Sequence, residues 1–362
     1  MASIQEHTFN PMAGKHERAF LEFCRKYPEQ VVKYHESSVQ EGFAHLFALG
    51  FNDLIAGARS SQMHPIKRIY LLRKEAGAGR STFKIILRFG PKLMIGRKRC
   101  FGDLAPYLHE IENSTFKSEE QHIPNLNQKL WQELNEYASE KWGIIKIGFT
   151  ELPTQLIFKE KFVLFRYALI FMQEMKKDKI DTAPLHTAGT EVMRVYATLG
   201  EAVNDIARWL RKKGVRCQSN HPLGGLVCTP PLAGKAGMGG QGRNGLLITP
   251  EFGPRQRLAP IFIEEKIFEF TDNSDHIWIE EQCKTCGLCQ KNCPTNAIHE
   301  EKQITINNIP GIGAMRTCIE REKCFPYFLK TQGCSICIRV CPFSNGESAY
   351  KKLKDKITKI NS

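Results

Sequence analysis

The sequence predicts a mixed α/β (α+β) protein with a C-terminal two-cluster ferredoxin-like module. Three observations support this prediction. Helical and strand-like apolar patterns alternate through the middle of the chain, nine cysteines lie between Cys283 and Cys341, eight of them with ferredoxin-like spacing, and 42% of the 362 residues are hydrophobic against 25% charged. This composition is typical of a globular chain and excludes disordered and collagen-like classes. The patterns divide the chain into regions at 1–120, 121–275, 276–345 and 346–362.

The N-terminal region, residues 1–120, is basic and has no recognisable motif. One helix is predicted over residues 39–49. Residues 67–99 then hold eleven Lys or Arg against one acid, Glu75, and apolar alternation over 83–89 predicts strands or a hairpin. The basic passage is interpreted either as a solvated face or as a surface for the phosphate of a cofactor, an acidic redox partner or RNA.

Residues 121–275 are predicted to form a core of helices and strands. The clearest element is a long helix over 190–213, whose apolar residues keep a 3.6-residue period and whose end is marked by Gly214. The other predicted elements are a helix over 126–142 capped by Asn125, a buried strand over 162–171, strands over 245–249 and 259–263, and a basic tail helix over 350–360.

The net charge indicates what kinds of partner the protein could bind, and the absence of targeting signals indicates where it is located. The formal net charge is +13, from 51 Lys and Arg against 38 Asp and Glu, which suits nucleic acid, an acidic redox partner or an anionic cofactor. The longest apolar stretch, 162–172, is interrupted by Arg166 and is shorter than the roughly 20 residues that cross a bilayer. Residues 1–11 show no export signal. We therefore expect a cytoplasmic protein without a membrane span.

The cysteines of the third region follow the spacing of bacterial 4Fe-4S ferredoxins. Residues 283–294 read C-x2-C-x2-C-x3-C-P, in which the fourth cysteine serves the second cluster. A second set ends in Cys341-Pro342 and has a nine-residue first gap. We assign Cys283, Cys286, Cys289 and Cys341 to one cluster, and Cys293, Cys324, Cys334 and Cys337 to the other.

Other interpretations of the cysteines remain open. Structural zinc also uses Cys-x2-Cys pairs, but normally as two pairs that form one site. Cys318 is an alternative to Cys324 as a ligand. The four remaining thiols are interpreted as small buried apolar residues: Cys24, Cys100, Cys217 and Cys228.

A glycine-rich segment precedes the cysteine module. Residues 237–242 satisfy G-x-G-x-x-G, yet a dinucleotide site requires a strand before this motif and a helix after it. Here two prolines precede the motif and a strand-like sequence follows it, so a Rossmann site is disfavoured. Glycines would still let the backbone approach a flat ligand.

Two stretches carry a resemblance to a known family. Residues 236–258, AGMGGQGRNGLLITPEFGPRQRL, and 324–345, which include GCSICIRVCPFSN, resemble corrinoid-dependent reductive dehalogenases and, more distantly, epoxyqueuosine reductases. The resemblance covers about residues 160–345. It implies a nitroreductase-like core that holds base-off cobalamin and receives electrons from two 4Fe-4S clusters. The corrinoid contacts are expected at Gly237, Met238, Gly239, Gly240, Arg243, Asn244 and Thr249.

The resemblance also implies a tyrosine that donates a proton beside a cation. Tyr196 occupies the matching position, and Arg255, as first choice, or Arg257 would supply the cation, because a cation favours the phenolate. The alternative role of Tyr196 is a core residue in the apolar stripe of its helix. Asn220 is a candidate for substrate binding or for a turn at a strand end, and His221 is expected at the surface.

These residues predict an iron-sulfur oxidoreductase that is cobalamin-dependent and resembles reductive dehalogenases. A small organic substrate and an external low-potential donor, such as ferredoxin or flavodoxin, are the expected partners, and nucleic acid is less favoured. The alternatives are a tRNA epoxyqueuosine reductase-like enzyme and a corrinoid-free electron-transfer protein of ferredoxin type.

Overall fold

The computed structural model describes residues 15–39, 80–113, 127–331 and 333–361. Two sequence predictions lie outside these ranges: the helix over 39–49, apart from its first residue, and the 67–79 part of the basic passage. Asn125 also lies outside them, but the start of the helix that it was predicted to cap is described.

Twelve helices are present in the described residues. They are α1 (Lys15–Lys26), α2 (Arg80–Gly102), α3 (Ala105–Asn113), α4 (Gln128–Trp142), α5 (Lys177–Ile180), α6 (His186–Lys212), α7 (Thr229–Lys235), α8 (Trp278–Cys286), α9 (Leu288–Lys291), α10 (Arg321–Thr331), α11 (Ile336–Arg339) and α12 (Glu347–Asn361).

Ten strands accompany them. They are β1 (Val32–Lys33), β2 (Ile147–Glu151), β3 (Phe162–Val163), β4 (Tyr167–Glu174), β5 (Cys217–Ser219), β6 (Gly240–Gln241), β7 (Leu247–Ile248), β8 (Gln256–Ile263), β9 (Ile298–Ile309) and β10 (Gly313–Ile319). The strand predicted over 162–171 is thus divided in two, and the one predicted over 259–263 begins three residues earlier.

A four-stranded antiparallel sheet forms the centre of the fold, in the order β2-β4-β8-β5. Its strand β4 is buried on both faces because side chains alternate across a strand. Ala168 and Ile170 join a core with α1, α2 and α7, whereas Leu169 and Phe171 join a core with α4 and α6. The sheet is therefore enclosed between two helical layers, which confirms the predicted α/β class.

The long helix α6 packs across this sheet and against α2. It covers 186–212, close to the predicted 190–213, and Gly214 follows its end with a φ of +86°. Its apolar stripe is fully buried, as the period predicted: Val192, Val195, Leu199, Val203, Ile206 and Leu210.

Two local predictions were wrong. Residues 83–89 are part of helix α2, not a hairpin. The side chains of α2 that are described as buried include Phe89, Leu93 and Cys100, and this helical spacing places them against α6. At α4, the amide of Leu130 donates to the side chain of Asn127 at 2.8 Å, so Asn127 caps the helix, two residues after the predicted cap.

The cysteine module consists of α8, α9, the β9–β10 hairpin, α10 and α11, and the last described helix, α12, packs against α8. No helix among the described residues is both long and apolar enough to cross a bilayer.

Candidate functional site

A cavity of about 420 Å³ lies between the sheet core and the cysteine module. The core contributes Tyr196, Asn220 and Arg257 to its wall. The module contributes four thiols, those of Cys293, Cys324, Cys334 and Cys337. The structure therefore brings three of the four predicted catalytic residues together with all four cysteines of the second predicted cluster.

Arg257 is the cation beside Tyr196. Its guanidinium carbon lies 4.8 Å from the centre of the Tyr196 ring, a cation–π arrangement. One arginine N–H donates to the backbone oxygen of Gln256 at 3.1 Å, while the buried Nε has no hydrogen-bond partner among the described residues. Arg257 can therefore hold the ring and still offer one donor to a ligand.

Arg255, the first choice for this cation, has a different position. It is 4% exposed and donates to Glu174 Oε1 at 2.7 Å, to the oxygen of Met175 at 2.8 Å and to the oxygen of Ser344 at 2.7 Å. These bonds join the end of β4 to the chain after the last module cysteine. Arg255 thus fixes the module on the core and does not line the cavity.

Asn220 directly follows β5 and lines the cavity. Its side-chain oxygen accepts a hydrogen bond from the amide of Leu226 at 3.0 Å. Because this bond closes the loop over 220–226, the structure supports the turn role of Asn220, and its position on the cavity wall leaves the substrate-binding role as a proposal.

The expectation of a surface histidine at position 221 was wrong. His221 is 3% exposed, and a Cβ added at Gly200 of α6 would lie 2.2 Å from its Nε2. Burial is the main cause that lowers the pKa of His221 to about 4, with Arg97 acting in the same direction. The ring is therefore neutral near pH 7 and packs under the cavity loop.

The glycine-rich segment does not reach the cavity. A Cβ at Gly237, Gly239 or Gly240 would lie 2.1–2.7 Å from a backbone oxygen of another segment, and Met238 is completely buried in the core. The close approach that these glycines permit is thus to protein backbone. Of the seven expected corrinoid contacts, only Asn244 lines the cavity.

Arg243 and Thr249, two further expected contacts, stabilise the structure around the module. Arg243 donates to the backbone oxygens of Cys283 at 3.1 Å and Lys284 at 3.2 Å, and so holds the C-terminal end of α8, where the first cysteine run begins. Thr249 is buried and closes a turn with Gly253. Neither faces the cavity.

The eight module cysteines form two groups of neighbours. Burial is the largest cause that raises the pKa of the Cys341 thiol, and Cys283, Cys289 and Cys286 raise it further. The pKa of Cys324 rises to about 11, again by burial first and then through Cys334 and Cys293. These neighbours match the two predicted sets.

The two groups adjoin, since both Cys289 of the first and Cys293 of the second contribute to the raised pKa of the buried Cys337. Cys293 differs from the others. Burial raises its pKa, but the backbone groups of Ala297, Thr295 and Ile298 and the Thr295 hydroxyl together lower it. Cluster ligands are thiolates, so loading iron must release protons from this site.

Several cysteines lie outside these groups. Cys318 is buried on β10, and Cys283 of the first group contributes to its raised pKa after burial, the largest cause. Cys24, Cys100 and Cys217 are buried in apolar cores, as predicted, whereas Cys228 lines the cavity. Within the described residues, no group of three or more His, Cys, Asp or Glu is arranged to hold a single metal ion.

Sequence reasoning missed Gln256. This residue lines the cavity, is 5% exposed, donates to the oxygen of Leu247 at 2.7 Å, and leaves its Oε1 without a partner in the described chain. Its position between two arginines gave no signal, because the sequence does not show where β8 begins and therefore which side chain faces the cavity.

Comparisons with known proteins agree with this arrangement. Residues 282–344 match the model of the 4Fe-4S double cluster binding domain, a range that contains all eight module cysteines. A tetrachloroethene reductive dehalogenase of Desulfitobacterium hafniense is 29% identical over 199 residues, 52% of this chain and 35% of that protein. An epoxyqueuosine reductase of Francisella cf. novicida is 31% identical over 130 residues, 33% of each chain.

The fold has a solved counterpart. A reductive dehalogenase structure, described as suggesting a mechanism for B12-dependent dehalogenation, superposes with a TM-score of 0.54 at 19% identity, covering 67% of this chain and 36% of that one. The chain thus spans about a third of the length of the two relatives named above. Together the matches confirm the resemblance to reductive dehalogenases and epoxyqueuosine reductases.

Proposed function

We propose that this chain is an iron-sulfur reductase that binds a corrinoid in the cavity and removes a leaving group from a small organic substrate. One observation carries the proposal: the cavity has a tyrosine under a cation on one wall and four cysteines of a predicted 4Fe-4S site on the other. The first cysteine group does not line the cavity. Electrons would therefore enter at that group and leave through the second.

The residues present fit both kinds of cofactor. Four thiols per group supply the ligands that a 4Fe-4S cluster requires. Phe158, Met193 and Leu246 give the cavity an apolar wall, as is usual for cofactor sites. The unpaired Gln256 Oε1 and Arg257 Nε would meet the polar groups of a bound corrinoid, because buried polar atoms otherwise remain unsatisfied at a cost.

The chain's own side chains perform the proton step. Bound cobalamin would supply a cobalt centre that exchanges electrons with the substrate. Tyr196 donates one proton from its hydroxyl, and Arg257 over the ring stabilises the phenolate that remains. For an organochloride the balance is one C–Cl bond broken and one C–H bond formed, with two electrons and one proton consumed and chloride released. The apolar wall favours an uncharged substrate and excludes water.

Metal analysis tests this proposal. We expect anaerobic reconstitution with iron, sulfide and cobalamin to give about eight iron and one cobalt per chain. The reconstituted protein, reduced by dithionite, is then incubated with tetrachloroethene, and chloride release is measured. Eight iron without cobalt would contradict the corrinoid site and favour the corrinoid-free electron carrier.

The tRNA-modifying alternative is tested on the same preparation. Turnover of an epoxyqueuosine-containing tRNA stem loop, in the absence of any chloride release from organochlorides, would favour that activity over the proposed one.

A further inference from the structure

The surface around the first cysteine group combines exposed apolar side chains with lysines. Leu288 stands between Cys286 and Cys289 and is 40% exposed, and Ile277, just before α8, is 71% exposed. Cys286 and Cys289 themselves are half-buried. A redox centre that exchanges electrons with another protein needs such a partly exposed edge.

Helix α12 packs beside the first cysteine group and has exposed lysines on its outer side. Its buried Tyr350 contacts Trp278 of α8, with ring centres 5.0 Å apart, and its Leu353 packs in the same apolar cluster as Cys283 and Cys341. The opposite side of the helix is exposed at Lys352 and Lys356, which share a face because they are four residues apart.

Helix α12 has an excess of positive charge. Over 347–361 it has five lysines and two acids, and neither Lys352 nor Lys356 forms an ion pair with a described residue. Lys291, at the end of α9, adds an exposed cation next to the cysteine run. We define the α12 edge as Ile277, Leu288, Lys291, Lys352 and Lys356.

We propose that the α12 edge is the docking surface for an acidic one-electron carrier protein, an iron-sulfur or flavin protein of low potential. This inference rests on the proposed function, in which electrons enter at the first cysteine group. In each encounter the carrier is oxidised by one electron and the first cluster is reduced by one. The lysines attract the acidic carrier, and the apolar centre forms the close contact.

Nucleic acid is a poorer occupant of the same surface. RNA-binding surfaces use arginine planes and exposed aromatic rings that stack on bases. Every cation of α12 is lysine, and its one aromatic residue, Tyr350, is buried.

Charge reversal tests the surface. The iron-loaded protein is mixed anaerobically with a reduced acidic ferredoxin, and cluster reduction is followed by stopped-flow absorbance. We expect Lys352→Glu/Lys356→Glu to lower the second-order rate constant at least tenfold at low salt, with the difference disappearing at high salt. Binding of the oxidised ferredoxin, measured by fluorescence anisotropy, should weaken in parallel.

A matched control separates local docking from net charge. Lys129→Glu/Lys212→Glu changes the same number of exposed charges, on α4 and at the end of α6. We expect this variant to change the rate less than twofold. The proposal would be wrong if both variants were slowed equally or if neither were slowed. It would also be wrong if the α12 variant lost tRNA binding while its reduction rate stayed unchanged.

Dithionite distinguishes this inference from the proposed function. A small inorganic donor does not depend on the docking surface, so all variants should be reduced by it at the same rate. If the unmodified protein takes up iron but dithionite reduces no cluster, the proposed function fails, whatever the ferredoxin rates are.

Discussion

Tyr196 occupies the apolar stripe of α6 and at the same time lines the cavity. Its hydroxyl is the only part that Tyr196→Phe removes, so the substitution separates the chemical role from the packing role. We expect the variant to lose about 10²–10⁴-fold in turnover, the usual contribution of a positioned acid. Iron and cobalt contents should stay normal, and chloride release from tetrachloroethene measures the effect. Unchanged turnover would reduce Tyr196 to a core residue.

The two arginines near the start of β8 show what sequence reasoning can resolve. The resemblance placed a cation in the segment of Arg255 and Arg257, and the structure has one beside Tyr196. The first choice was Arg255, but three hydrogen bonds hold Arg255 elsewhere, and the sequence does not show these bonds. For the same reason the sequence could not foresee that the glycines at 237–240 approach protein backbone and not a ligand.

His221 makes the stability of the fold depend on pH. Its pKa is about 4 in the folded protein against about 6.5 in the unfolded chain. Below pH 6.5 the unfolded chain therefore takes up a proton that the folded chain refuses, and stability is lost as the pH falls from about 6.5 towards 4. Above that window the neutral ring imposes no such loss.

The corresponding variant is His221→Gln. Between pH 7 and pH 5.5 we expect the unmodified protein to lose about 1 kcal/mol more unfolding free energy than this variant, measured by urea denaturation under anaerobic conditions. The same substitution at the exposed His35 controls for the removal of a histidine. Equal pH slopes in the unmodified protein and the His221 variant would contradict the buried, neutral ring.

Among the elements, α2 connects the N-terminal region to the cavity. Its Arg97 makes three hydrogen bonds to the buried carboxylate of Glu17 on α1, at 2.8–3.2 Å. The same guanidinium packs against Gly224 of the cavity loop, where an added Cβ would lie 2.2 Å from it. The pair therefore fixes α1, α2 and the loop relative to one another.

Removing one partner of the Glu17–Arg97 ion pair should destabilise the fold. We expect Glu17→Gln to lower the free energy of unfolding by up to about 3 kcal/mol, because it leaves a largely buried guanidinium without its charge partner. Replacing both residues, in Glu17→Gln/Arg97→Gln, should recover part of the loss, which a double-mutant cycle measures. The more exposed ion pair between Lys92 of α2 and Glu201 of α6 is the control. Additive losses at positions 17 and 97 would rule out the coupling.

Helix α2 also shows why element prediction failed locally. Over seven residues, an apolar–basic alternation is compatible with a strand. From Phe89 to the end of α2, the buried positions keep a helical spacing. These positions are buried because α2 packs against α6, and a stretch of only seven residues does not show this spacing. The long helix α6 was predictable because its own period extends over most of its length.

At the scale of the whole molecule, the two cysteine groups differ in position. The second group lines the cavity and two members of the first group pack against α12, so in the proposed function electrons pass from the first group to the second. The sequence predicted both cysteine sets from their spacing alone. It could not predict which set faces the cavity, because that depends on how the module packs on the sheet, partly through Arg255.

Single cysteine variants test this direction. We expect Cys286→Ala and Cys324→Ala each to bind about four iron instead of eight, since each removes one ligand of a different cluster, whereas Cys318→Ala should keep eight. Iron analysis and EPR spectra of the dithionite-reduced proteins give these contents. With the first cluster missing, reduction of the second by ferredoxin should slow strongly, while dithionite still reaches it.

The variant without the second cluster should behave in the opposite way. In Cys324→Ala, ferredoxin should reduce the first cluster at the normal rate, yet chloride release should stop because the centre next to the cavity is absent. If Cys324→Ala still released chloride and Cys286→Ala did not, the proposed order of electron transfer, from the first group to the second, would be wrong. The cavity between Tyr196 and the second set of thiols would then not be the place where electrons meet the substrate.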